Sequence, residues 1–125
     1  MQDVLLGAAI LTVLLAAMHS ILGGRRLIGP LAARDDLPVI LGSIVRTRVT
    51  LHVGWHALSL LWIGMAALMA LMHWAPTLRS PAFLWMTTAV FGVLGLAALL
   101  LSQGRHLSWL MFLPIAVLTG RAASS

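Results

Sequence analysis

Residues 49–74 read VTLHVGWHALSLLWIGMAALMALMHW and contain no acid, lysine or arginine. A bilayer core of about 30 Å needs about 20 apolar residues at a helical rise of about 1.5 Å each, so this stretch is long enough to cross a membrane with some tilt or projection. One end is polar. Arg48, His52 and His56 recur at a spacing of four, with Ser59 three further on, which places them on a single helical stripe. A stripe of that kind has no hydrogen-bond partner in lipid, so it turns toward other helices.

Outward from that segment, three further apolar runs appear. Val4 to Leu22 carries no charge, Ala82 to Leu101 is opened by Pro81, and Leu107 to Gly120 is shorter and interrupted by Pro114. The last run is expected to take its first turn from Gln103 to His106, giving a span of about residues 105–120. Composition agrees with this reading: 61% of residues are hydrophobic, 9% are charged and the mean hydropathy is +1.03, too little polar surface for a soluble domain of this length. The expected fold is therefore an all-helical, four-transmembrane-helix bundle in one membrane domain, residues 1–125.

All eight basic residues are arginine, against three acids, for a net charge of +5. They are unevenly distributed. Arg25, Arg26, Arg34, Arg46, Arg48 and Arg105 fall in the first and third connections, whereas Arg79 and Arg121 fall on the other side. The positive-inside rule then predicts both termini outside the cytoplasm, in a bacterial inner membrane, with Trp74 and Trp85 in an outer aromatic belt and His73 anchoring beside them. Asp3 stands where a cleavable signal would carry basic residues, so the first run is expected to be retained as a span.

The first connection, Gly23 to Arg48, is too long for a tight turn. Gly23 and Gly24 are read as the end of the first helix, followed by Arg25 and Arg26 at the headgroups. Leu37 to Val45 is apolar but short, which predicts an interfacial or re-entrant piece, or an extension of the next helix, placed to lid the histidines. Gly92 and Gly95 permit close helix approach in the third span.

Alternating spans bring the end of the first helix, the start of the second, the end of the third and the start of the fourth to one leaflet. His19 and His52 then lie about 4 to 5 Å below the boundary, His56 about 10 Å deep and His106 at the edge. Ser20, Ser102, Gln103 and Arg105 are available companions. Neutral imidazole is a ligand for haem iron, zinc or copper, and arginines suit haem propionates. His19 and His56 form the expected ligand pair, with His52 and His106 as alternates and Arg48 and Arg105 as anion contacts. Electron transfer or sensing is the chemistry such a centre supports.

Met18, His19 and Ser20, followed by Gly23-Gly24-Arg25-Arg26, resemble the first-helix ending of the haem-binding membrane proteins that include zeta-carotene isomerase. The resemblance covers only that stretch and implies haem b ahead of zinc.

Several other classes lack their central residues. No carboxylate lies inside a span beyond Asp3, which removes diiron carboxylate centres and carboxylate proton relays. No cysteine is present, so thiolate sites and disulfides are absent. Desaturase chemistry needs repeated histidine boxes, and Ser20 and Ser59 lack a nucleophile elbow. The arginines are explained by topology rather than by nucleic acid, which is not an expected partner. The competing class is a non-catalytic accessory or assembly subunit, packed in the lipid bilayer as a homo-oligomer or within a larger membrane complex. Solute permeation would need a full polar path, and beyond Ser59 the second span turns apolar apart from Trp62.

Overall fold

The computed structural model describes residues 3–125, and among these the chain is helical with no β-strand. α1 (Asp3–Met18) runs without a break into a π-helical segment (His19–Ile28) and the short α2 (Gly29–Ala32), making one rod from Asp3 to Ala32. α3 (Ile44–Trp74), a single 3-10 turn (Pro76–Leu78), α4 (Pro81–Leu101) and α5 (Trp109–Ala123) follow. The first rod, α3 and α4 are long and apolar enough to cross a membrane; α5 is a shorter apolar helix.

The caps explain where α3 and α4 begin. Ser43 accepts a hydrogen bond from the Arg46 amide at 3.2 Å, and Ser80 accepts one from Phe83 at 3.3 Å with Pro81 just inside the helix. The end of α4 is a Schellman turn: the Gly104 amide donates to Leu99 at 2.7 Å and the Gln103 amide to Leu100 at 3.2 Å. Gln103 occupies the left-handed position at φ 53°, where a side chain is disfavoured. Gln103→Gly is therefore expected to stabilise the protein by about 1 kcal/mol in reversible unfolding in detergent. A neutral or destabilising result would show that the Gln103 side chain holds this turn.

Helix packing follows layers of apolar residues. Leu5, Met72, Leu84 and Ala122 form one layer, Ala8, Ala9, Ala66 and Met69 the next, and Leu15, Ala16, Trp62, Phe91, Phe112, Ile115 and Ala116 a third. Rising numbers on α1 meet falling ones on α3 and α5, so α1 is antiparallel to both. α1 lies against α3 and α5, and α4 lies against α5, while the backbones of α3 and α4 stay more than 8 Å apart. Side chains fill that seam: Phe112 packs its ring 5.8 Å from Trp62 on one side and 5.8 Å from Phe91 on the other. Buried threonines satisfy themselves within helices, Thr12 donating to Ala8, Thr87 to Phe83 and Thr119 to Ile115, and Thr88 pairs with Thr119 across α4 and α5 at 2.8 Å.

Three expectations about the connections are corrected. The first helix does not stop at Gly23-Gly24, because both glycines are interior to the π-segment and serve close approach to α3. Leu37 to Val45 is not a single element: Ile44 and Val45 open α3, the extension of the next helix that was one expected alternative, and the residues before them form a turn with Leu41 and Gly42 at positive φ. Thr47 fastens that turn, donating to the Pro38 carbonyl at 2.7 Å and accepting from the Ile40 amide at 3.1 Å. Gln103 to His106 do not supply the first turn of α5, since the Schellman turn has already redirected the chain.

In the exposed part of the first connection, the Arg34 guanidinium grips Asp36 through two bonds of 2.7 and 2.5 Å and holds its carboxyl below the ordinary aspartate value. Both side chains are open to solvent, so the pair orders the turn without adding appreciably to stability.

Candidate functional site

The π-segment creates a polar interface between the first rod and α3. Its i→i+5 bonding, visible where the Gly29 amide donates to the Gly24 carbonyl, widens the helix, and such turns recur at functional sites. Two consecutive residues of this segment reach α3. His19 Nδ1 lies 2.9 Å from Ser59 Oγ, and Ser20 Oγ lies 2.5 Å from His56 Nδ1. His56 and Ser59, three apart on α3, share a face, so two histidine–serine pairs of opposite polarity clasp the rods together.

Trp55 completes the clasp. Its indole stacks on the His19 ring with centroids 4.0 Å apart and planes within 11°, and its Nε1 donates to the His19 carbonyl at 3.0 Å. Trp62 meets the same imidazole edge-on at 5.1 Å. The glycines make this approach possible. A Cβ on Gly23 would overlap the Trp55 ring, and one on Gly24 would sit 3.4 Å from His56 Cε1.

Ser59 is 4% exposed, and His19 Nδ1 is its side-chain partner among the described residues, so this pair closes within the packed helices. His19 is thus covered on one face by Trp55, on another side by Trp62, and bonded at Nδ1.

His56 differs. Its Nδ1 is held by Ser20, while the residue is exposed and its ring lies parallel to that of His52, centroids 6.4 Å apart and planes within 12°. Among the described residues the hydrogen bonds of His106 are local: its Nδ1 lies 2.7 Å from Ser108 Oγ, and its amide donates to Ser102 Oγ at 2.9 Å. Arg48 donates to the Asp35 carboxylate at 3.0 Å and to the Arg34 carbonyl at 3.1 Å, so its charge is matched within the chain. Arg105 is exposed beside the Schellman turn. The loop reaches α3 at Arg46, Thr47 and Arg48 rather than at the histidines.

A groove of about 310 Å³ opens beside the clasp, lined by His19, Ile28, Thr50, Leu51, Gly54, Trp55 and Leu58. Among the described residues, no group of three or more His, Cys, Asp or Glu is placed to hold a metal ion. Sequence reasoning passed over Trp55, Gly23 and Gly24 as parts of this site. The available signal was a tryptophan directly before His56, facing a glycine pair on the neighbouring rod.

No protein-family model matches the chain, and neither the curated proteins nor the solved structures compared with it provide a match.

Proposed function

We propose that this chain is a four-span integral membrane protein, with both termini outside the cytoplasm of a bacterial cell, that binds haem or a transition-metal ion at its histidine centre for electron transfer or sensing. The fourth span is α5. At about 1.5 Å per residue its 15 residues cover about 22 Å, but it packs on α1 from the Leu5 layer to the Leu15 layer and shares that helix's course. The arginine-rich connections lie at the end of the bundle that carries His19, His52 and His56, which orients that end to the cytoplasm.

The observation that carries the ligand reading is the Ser20 to His56 bond. Ligating histidines have their second ring nitrogen fixed by a neighbouring polar group, and His56 has that arrangement while remaining exposed. His56 or His52, both exposed on α3, would hold a haem. Such a group would supply one-electron chemistry, and this chain would supply the imidazole, its orientation and a nearby arginine leaflet.

The test is an optical spectrum with elemental analysis of protein purified from haem-replete, metal-supplemented cells. A Soret band or stoichiometric copper or zinc, lost in His56→Ala, is the expected result. A colourless, metal-free protein that takes up neither group on reconstitution would reject this function. It would favour the accessory-subunit reading, which draws support from the closure of the His19–Ser59 pair within the chain itself. That reading expects a co-purifying membrane partner retained by His56→Gln, whose amide still bonds across the helices.

A further inference from the structure

We infer that the metal-binding pair is His52 with His56, a two-imidazole site on the open flank of α3 for a divalent transition-metal ion, copper(II) ahead of zinc, with Ser20 as the positioning residue and His19 outside the coordination sphere. This deepens the ligand-binding reading above and rests on it.

The two rings are four residues apart on one helix, about 6 Å along its axis. They already lie parallel, with centroids 6.4 Å apart, and both are exposed. A metal ion bound to imidazole sits about 2.0 to 2.1 Å from each nitrogen, so one ion reaches both rings after modest side-chain rotation. Ser20 occupies His56 Nδ1 and leaves Nε2 as the nitrogen that can coordinate. His19 stands apart from this pair: its Nδ1 is bonded to the buried Ser59 hydroxyl, Trp55 stacks on its ring and Trp62 meets it edge-on.

Charge and ligand type select the ion. Arg48 lies one turn from His52 and would repel a cation, but it is bonded to Asp35 and to the Arg34 carbonyl, which draw its charge away from the rings. The site offers imidazole and no carboxylate or thiolate, which excludes a calcium or magnesium preference and favours copper(II), nickel and zinc in the usual order of divalent affinity. Two protein ligands leave the remaining positions to water or to an incoming group, the arrangement of an exchangeable rather than a structural metal.

The purified full chain in detergent, stripped with chelator, would be titrated with Cu2+ and separately with Zn2+ by calorimetry, and the copper form examined by electron paramagnetic resonance. Expected are one site, a spectrum with nitrogen ligands, and at least about tenfold weaker binding in His52→Ala and in Ser20→Ala. His19→Gln, whose amide can still accept from Ser59, should bind within about twofold of the parent chain, given that it removes no ligand. Binding that survives His52→Ala but is lost in His19→Gln would overturn this assignment while leaving a metal-binding protein. Absence of binding by the parent chain to either ion, with no haem uptake, would remove both. Circular dichroism of each variant separates ligand loss from unfolding.

Discussion

Gly23→Ala should destabilise the protein by about 2 to 3 kcal/mol, a large effect for one methyl group. The added carbon would overlap the Trp55 ring, which is rigid and held on two sides, by stacking on His19 and by its bond to the His19 carbonyl. Neither rod can yield cheaply, because Ser20 and Ser59 tie the same turn to α3. The methyl must therefore displace Trp55 and loosen both polar pairs. Unfolding in detergent, read together with tryptophan fluorescence, would register the loss and a changed indole environment. Gly54→Ala is the control, since a Cβ there meets nothing within 4 Å. Equal stability of the two variants would disprove the tight seating of the π-segment on α3.

Phe112→Ala should cost about 3 kcal/mol and loosen the packing of α3 against α4. Lipid is as apolar as a protein core, so little of this comes from transfer; it comes from the void left between Trp62 and Phe91. Because the backbones of α3 and α4 do not approach within 8 Å, no neighbouring helix can close over the space. Val117→Ala, at a residue 61% exposed, should change stability by less than about 0.5 kcal/mol. A Phe112 variant as stable as the Val117 variant would mean that the seam is filled by other side chains.

The helical class and the apolar course of each rod could be read from hydropathy, because in lipid only helices or closed barrels satisfy the backbone. The stripe was legible in part: polar groups at helical spacing in an apolar run must find partners, and Ser20 and His19 are those of His56 and Ser59, whereas His52 is exposed and meets the His56 ring. The π-segment was not legible. Glycine both ends helices and admits close neighbours, and the choice at Gly23 and Gly24 is made by Trp55 and His56, distant in sequence. His106 was placed by counting residues to a boundary, yet Gln103 and Gly104 turn the chain and Ser102 and Ser108 satisfy His106 locally. Residue counting measures depth along a helix and says nothing of a loop's direction.

The order of contacts around the bundle bears on how it is assembled. α1 pairs with α3 and α4 with α5, whereas the middle two helices do not touch along their backbones. The nascent chain thus completes one antiparallel hairpin before the second exists, and the last helix then adds the α1–α5 contact between the two halves. Truncation before α5 would leave the early hairpin without its dock, exposing the face of α1 that packs on α5 to lipid or to a quality-control protease.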